Sequence, residues 1–415
     1  MGKFVISGGE KLSGKISVER AKNSVLPLLA ASILTDEEIV IENCPKIVDV
    51  INMLKILSSL GVKTRFESDN LIINASSICA YDIQENLAKE LRSSIFMMGA
   101  LISRFKKAEL SYPGGCEIGL RPIDIHINAL KELGVEIRET GGYVICKSGI
   151  IKGKEIYLDF PSVGATENVL LASVLAEGKT EIHNAAKEPE IIDLMRFLNA
   201  MGAKVYGAGT STILIDGVKK LHGAVFRPVG DRIEAGTYLI AAAITGGEIE
   251  INGIDAKNIS SLIHKLCDNS CKITIKNDII YLKYRGSRKS FSFSTGPYPF
   301  FPTDLQAQTT ALLSVSEGVS VVTENVFEMR YKHIPELIKM GADITVKGRN
   351  AIIKGVERFN GASVTAYDLR GGAALVLAGL NAEGKTEVND IKHIQRGYLD
   401  MAQKLRGLGA NIIEE

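Results

Sequence analysis

One type of segment recurs along this chain, and it constrains the fold more than any single motif does. An amphipathic stretch ends at a glycine and passes into a short strand-like run. The copies read LKILSSLGVKT, LKELGVEI, LMRFLNAMGAKV, LIKMGADI and LRGLGANI, with LIHKLCDNSCKI as a degenerate member. Their glycines are Gly61, Gly134, Gly202, Gly341 and Gly409, and Asn269–Ser270 stands at the remaining position. The spacing is about 70 residues, and a fixed period of this kind marks a structural unit that must stack on neighbours to bury its faces.

One unit can be read in full from the middle of the chain. NVLLASVLAEG is an apolar helix and KTEIHNA a strand. In EPEIIDLMRFLNAMG, Leu194, Phe197, Leu198 and Met201 have helical spacing, and the following glycine is a C-cap signal. AKVYGAG, STILIDGV and GAVFRPVG then alternate as strands do. Six such βαβ-type units, three to a half, predict an α/β protein of two domains. The sixth unit stops at ANIIEE, short of its last strands. FVISGGEKLSGKISVERAKN, at the other end, has the form of AIIKGVERFNGASVTAYDLRGG. Residues 1–20 are therefore expected to complete a C-terminal domain with 230–415, leaving 21–229 as the N-terminal domain. Two crossing linkers, near 21 and 230, would form a hinge, and ligands favour clefts between domains.

Composition excludes several function classes. Lys and Arg number 49 against 48 Asp and Glu, a net charge of +1, which gives no electrostatic footprint for nucleic acid or an anionic membrane. The N-terminus lacks the apolar core of a signal peptide, and runs such as YLIAAAIT are too short to span a bilayer. A cytoplasmic protein is expected, with reduced cysteines. Cys267 and Cys271 form the one close cysteine pair, and the six histidines show no metal-ligand spacing, so no metal is expected.

Polar clusters open the six apolar helices: Lys22–Asn23, Arg92–Ser94, Ser162–Gly164, Asp231–Glu234, Thr303–Asp304 and Asp368–Arg370. Ser162, Thr303 and Asp368 read as N-caps. Lys22, Arg92 and Arg370 have the wrong charge for the positive end of a helix and call for an anion, which would also satisfy the first-turn N–H groups. Arg121, Arg330 and Arg396 recur at the same end of their units. Unit two is longer than its counterparts because of PGGCEIGLRP, a glycine-rich insertion at about 112–122 that carries Cys116. This is a candidate lid whose cationic setting would activate the thiol. Asp304, in FPTDLQAQ, is either a cap or a general base facing a substrate hydroxyl.

Taken in order, AKNSVLPLLAA, LRSSI, PGGCEIGLRPIDIH, SVGATEN, EPEIID, DRIEAGTYLIAAA, FPTDLQAQ, TENVFEMRYKHIPEL, DLRGGAALVLAGL and IQRGY resemble the UDP-N-acetylglucosamine 1-carboxyvinyltransferase family of enolpyruvyl transferases over essentially the whole chain. The resemblance implies two inside-out α/β domains with buried helices. It implies transfer of the enolpyruvyl group of phosphoenolpyruvate to the 3′-hydroxyl of UDP-N-acetylglucosamine by addition and elimination, with loss of phosphate, at the start of peptidoglycan and cell-wall synthesis. By motif, Cys116 would be the general acid and could carry a covalent phosphoenolpyruvate adduct, and Asp304 would take the sugar hydroxyl proton. Lys22, Arg121 and Arg396 would hold phosphoenolpyruvate, with Asn23, Arg330 and Arg370 nearby. Asn23, Arg92, Arg121, Pro122, Ile123, Asp124, Ile125, Ser162, Val163, Gly164, Asp304 and Val326 would shape the nucleotide-sugar site. No cofactor and no obligate protein partner are implied. The chain departs from the family pattern at Glu19–Arg20, Phe160 and Phe300. 5-Enolpyruvylshikimate-3-phosphate synthase is similar in fold and chemistry, but lacks the cysteine loop that PGGCEIGLRP supplies.

Overall fold

A computed structural model describes residues 2–114, 118–119 and 123–415. These form two compact units. The C-terminal unit comprises residues 2–19 and 230–415, with Ile118 and Gly119; the N-terminal unit comprises residues 20–114 and 123–229.

Each unit contains three four-stranded sheets of one pattern. In one of them Glu155–Tyr157 runs parallel to Lys179–His183. Parallel neighbours need a crossover, and the apolar helix Val163–Ser173 supplies it. Thr212–Asp216 then pairs antiparallel with Lys179–His183 on one side and Lys204–Tyr206 on the other. In the sheet closed by the N-terminus, Lys3–Ser7 lies antiparallel between Lys385–Asn389 and Asn411–Glu414. The first strand of the chain is thus the inner strand that the last unit lacks.

The edge strands beside the two crossings are exchanged. Ser13–Ser17 precedes the helix Lys22–Ala31 in the chain, yet pairs in parallel with Glu248–Asn252. Ala224–Phe226 precedes Arg232–Thr245, yet pairs in parallel with Ile39–Ile41. Each strand stays in the unit that the chain is leaving. The junctions are hydrogen-bonded within each unit: Asp231 N–H donates to Glu19 O at 2.8 Å in the C-terminal unit, and Ala21 N–H to Val229 O at 2.8 Å in the N-terminal unit.

The apolar helices form the core of each unit. All residues of Arg232–Thr245 are buried, as expected for a helix that is apolar all round. Gln306–Ser314 is equally buried despite its polar sequence, because Thr309 and Ser314 donate back to the carbonyls of Leu305 and Thr310. Close approach is possible where side chains vanish: a Cβ on Gly99 would lie 2.3 Å from Asn168 O. The repeating glycines follow the amphipathic helices with φ of 95°, 87°, 94°, 94° and 96° at Gly61, Gly134, Gly202, Gly341 and Gly409. That left-handed turn suits glycine. In the degenerate copy Ser270 adopts the same turn, with φ 74°. Among the described residues no helix is long and apolar enough to cross a membrane.

Candidate active site

In the C-terminal unit the strand Val319–Thr323 delivers the loop that carries Arg330, and the short turn Thr303–Leu305 carries Asp304. Arg330 Nη2 donates to Asp304 Oδ1 at 2.6 Å, and Arg370 Nη2 donates to Oδ2 at 3.3 Å. The side chains of Arg330 and Arg370 are 3% and 4% exposed, against 27% for Asp304. A carboxylate therefore faces outward with two buried guanidinium groups behind it. Burial opposes the charge on Arg370, but Asp304 and Tyr398 outweigh it and hold the guanidinium more firmly protonated than usual. His333, fully buried beside Arg330, is pushed down to about 4 by desolvation and is neutral. Arg396 lies half-buried after the turn Ile391–His393.

Two further groups fix Asp304 from behind. Gln308 Nε2 donates to Asp304 O at 3.0 Å. Glu324, buried, accepts from the hydroxyls of Thr295 at 2.8 Å and Thr303 at 2.9 Å, and from the N–H groups of Val326 at 2.8 Å and Phe327 at 3.1 Å. One carboxylate thereby joins the Asp304 turn to the Arg330 loop. Thr303 is not the cap its position suggests, since its hydroxyl is turned to Glu324. Asp231, Ser162 and Asp368 do cap their helices. Glu324 stands inside a quoted motif, TENVF, but nothing in its spacing distinguishes it from a surface acid; only the converging donors do.

In the N-terminal unit the helix Lys22–Ala31 has no side-chain cap, and Lys22 Nζ lies 3.0 Å from Asp49 Oδ2. Lys22 and Arg370 thus have carboxylate partners within their own units. Asn23 is half-buried beside Lys22. Ser24 donates to Asp193 Oδ2, which also accepts from Val229 N–H at 3.0 Å. Burial pushes the Asp193 carboxyl up despite these bonds. Arg92, half-buried, donates to Pro113 O at 3.4 Å rather than standing free at its helix start.

Ser162, Val163 and Gly164 are half-buried at the start of Val163–Ser173. Gly164 leaves room for the His126 ring, which a Cβ would approach to 2.8 Å. Asn168 Nδ2 donates to Ile95 O at 3.1 Å and to His126 Nδ1 at 2.8 Å, while its Oδ1 accepts from Gly99 N–H at 2.8 Å. Nδ1 of His126 is therefore the acceptor nitrogen. This buried amide fixes the helix Asp124–Glu132, at whose start Ile123, Asp124 and Ile125 lie. Glu167, one residue earlier, is buried with no hydrogen-bond partner on either oxygen among the described residues. Desolvation, reinforced by Glu190 and Glu188, pushes its carboxyl well above the usual range.

Cys116, Arg121 and Pro122 lie outside the described residues. Beside them, Ile118 O accepts from Met329 N–H at 3.1 Å within the C-terminal unit. Val326 is half-buried on the Glu324 loop. Phe160 and Phe300 are exposed. Among the described residues no group of His, Cys, Asp and Glu is arranged to hold a metal ion.

Comparison with known proteins gives a consistent result. Residues 6–405 match the family described as EPSP synthase (3-phosphoshikimate 1-carboxyvinyltransferase). The chain is 51% identical over 414 residues to UDP-N-acetylglucosamine 1-carboxyvinyltransferase 2 of Caldanaerobacter subterraneus, covering 100% of this chain and 99% of that one. It is 49% identical to UDP-N-acetylglucosamine 1-carboxyvinyltransferase 2 of Clostridium tetani, with 99% of each covered. Among solved structures, the enolpyruvyl transferase NikO from Streptomyces tendae superposes with a TM-score of 0.88 at 24% identity, over 100% of this chain and 98% of that chain. An EPSP synthase from Acinetobacter baumannii gives 0.78 at 19% identity over the full length of both. These structures share the two-unit, inside-out α/β fold.

Proposed function

Because this chain belongs to the UDP-N-acetylglucosamine 1-carboxyvinyltransferase family, within the wider EPSP synthase family, we propose that it transfers the enolpyruvyl group of phosphoenolpyruvate to the 3′-hydroxyl of UDP-N-acetylglucosamine and releases phosphate. The product feeds peptidoglycan synthesis. The observation that carries the reading beyond likeness is Asp304, a partly exposed carboxylate between two buried guanidinium groups.

In the addition step the sugar oxygen bonds to C2 of phosphoenolpyruvate, its proton passes to Asp304, and C3 receives a proton from the Cys116 thiol. Elimination removes a proton from C3 and expels phosphate, which restores the double bond. Lys22, Arg121 and Arg396 bind the phosphate and carboxylate of phosphoenolpyruvate, with Asn23, Arg330 and Arg370 close by; fixed cations of this kind stabilise charge that develops in the transition state. Asn23, Arg92, Arg121, Pro122, Ile123, Asp124, Ile125, Ser162, Val163, Gly164 and Val326 shape the nucleotide-sugar site. The chemistry calls on no cofactor, although Cys116 can also bond covalently to phosphoenolpyruvate. The crossings near 21 and 230 serve as a hinge.

Asp304 becomes an effective base when the anionic groups of phosphoenolpyruvate compete for Arg330 and Arg370. Base activation is thus tied to occupancy by phosphoenolpyruvate.

The test is phosphate release from phosphoenolpyruvate, with and without UDP-N-acetylglucosamine, for wild type and Cys116→Ser. Release that requires the nucleotide sugar and collapses in the variant supports the reaction and the thiol's role. Sugar-dependent release that survives Cys116→Ser removes the thiol from the mechanism. Sugar binding without any release overturns the transferase reading.

A further inference from the structure

Behind Arg370 the core of the C-terminal unit contains a chain of polar groups that the reaction as described does not use. Tyr398, Thr237 and Gln308 are all buried. Thr237 belongs to the helix Arg232–Thr245, Gln308 to Gln306–Ser314 and Arg370 to Leu369–Asn381, so the chain links all three central helices. Burying this many polar atoms in an apolar core is costly unless each finds a partner.

The donor directions follow from counting protons. Thr237 has a single hydroxyl proton, and its Oγ1 donates to Ile233 O at 2.8 Å. The 2.8 Å contact between Thr237 Oγ1 and the Tyr398 hydroxyl must therefore be donated by Tyr398. The tyrosine oxygen is left as an acceptor, facing Gln308 Nε2 at 3.2 Å, and it favours the charge on the neighbouring Arg370 side chain. Gln308 Nε2 also meets Thr237 Oγ1 at 3.1 Å and Asp304 O at 3.0 Å. A backbone carbonyl can only accept, so this fixes the amide nitrogen of Gln308 toward Asp304. The guanidinium carbon of Arg370 lies 5.4 Å from the centre of the Tyr398 ring. The hydroxyl protons of Tyr398 and Thr237 both run toward Ile233 O, which leaves the tyrosine oxygen as the negative end of the dipole beside Arg370.

We propose that Tyr398 is a positioning residue for the transfer reaction: its hydroxyl, oriented by Thr237 and Gln308, sets the Arg370 guanidinium against Asp304. This rests on the reading of Asp304 as the base. Without the hydroxyl, Arg370 keeps its aromatic face but loses the electrostatic support of the oriented tyrosine oxygen, and its grip on Asp304 loosens. A less tightly paired carboxylate takes up a proton at higher pH.

The experiment compares wild type, Tyr398→Phe, Thr237→Val and Thr237→Ser. It measures kcat and KM for both substrates across pH, together with thermal unfolding. Wild-type phosphate release comes first; if it does not require UDP-N-acetylglucosamine, the reaction itself is misread and the positioning role falls with it. With an active wild type, Tyr398→Phe is expected to lower kcat at least tenfold, to leave KM for the nucleotide sugar within about twofold, and to move the acid limb of the kcat profile upward. Thr237→Val should follow it, and Thr237→Ser, which keeps the hydroxyl, should behave as wild type. An unmoved acid limb in Tyr398→Phe, or a loss of rate in Thr237→Ser equal to that in Thr237→Val, overturns the proposal.

Discussion

The two units share one repeat, yet their cores place charged and polar groups differently. In the C-terminal unit polar side chains link the three central helices, although Tyr238 Oη and the side-chain oxygens of Gln306, Gln308 and Asn381 find no hydrogen-bond partner among the described residues. Tyr398, Thr237 and Gln308 form a directed chain, and Glu324 collects four donors. In the N-terminal unit a carboxyl group, Glu167, is buried without a hydrogen-bond partner among the described residues, with Glu188 and Glu190 close enough to oppose its charge. The scaffold therefore does not dictate its polar interior. The repeat specifies which faces are apolar. What fills the helix starts is free to vary, and there the halves diverge into a carboxylate held by arginines and a lysine held by a carboxylate.

The largest effect should come from breaking the arginine-held carboxylate. Asp304→Asn keeps the shape of the side chain and removes both its basicity and its charge. A loss of kcat of about 10²- to 10⁴-fold is expected from the missing base. Binding of UDP-N-acetylglucosamine, followed by calorimetry, should persist. A variant within tenfold of wild type would remove Asp304 from proton transfer and erase the functional contrast between the units.

The second test concerns the unsatisfied carboxyl. Glu167 titrates near its ordinary value of 4.5 in the unfolded chain and well above it when folded. The folded state thus keeps a proton that the unfolded state has lost. Its contribution is fully present below about pH 4.5 and is lost as pH rises toward the folded value, by up to ~1.4 kcal/mol per pH unit. Glu167→Gln removes that dependence. Measured by denaturant unfolding, the variant should gain on wild type steadily from pH 5 upward. Parallel stability curves would show that Glu167 is satisfied in solution and that the units do not differ in this respect.

How much of this could be read from the sequence depends on the residue. The period predicted both the sheets and their glycine turns, and it held even at Ser270, because six copies of one pattern average out local irregularity. It also assigned Ser13–Ser17 to the C-terminal half and Ala224–Phe226 to the N-terminal half, but not the strands they pair with, since pairing is decided by tertiary neighbours and not by chain order. Asp304, Arg330 and Arg370 were legible as charges at repeated positions, but their pairing with one another was not. Thr303 was misread because a cap residue and a residue that donates to a distant carboxylate look alike in sequence. Glu19 looked like a departure from the family pattern; the structure supplies its partner in Lys404, at 2.8 Å.

Glu324 offers a test of the satisfied side of the comparison. Glu324→Ala strands two hydroxyls and two backbone N–H groups, although the hydroxyls can turn toward other acceptors. A destabilisation of about 3 kcal/mol is expected, since each buried group left unpaired costs roughly 1–3 kcal/mol and part of that is recovered by relaxation. Activity should fall as well, because the turn bearing Asp304 and the loop bearing Arg330 lose their common anchor. Unchanged stability with unchanged activity would mean that the four bonds report geometry and not energy.

The smallest effect sharpens the comparison at the crossing within the C-terminal unit. Glu234 is buried, accepts from Glu19 N–H at 2.6 Å and pairs with Lys404 Nζ at 2.7 Å. Burial pushes its carboxyl up to about 7 from 4.5, while Lys404, with the charge of Glu234 beside it, is held above its usual value. The sign is that of Glu167, over a narrower window. Stability from Glu234 is complete below about pH 4.5 and is lost as pH climbs through about 7, after which it is level. Relative to Glu234→Gln, wild type should lose stability between pH 5 and 7 and then run parallel to the variant. The ion pair with Lys404 that forms above pH 7 offsets part of the loss, which is why the effect is smaller than for the unpaired Glu167. A difference that keeps growing beyond pH 8 would mean that Lys404 does not compensate the charge. The C-terminal unit would then contain an uncompensated acid of the kind found in its neighbour.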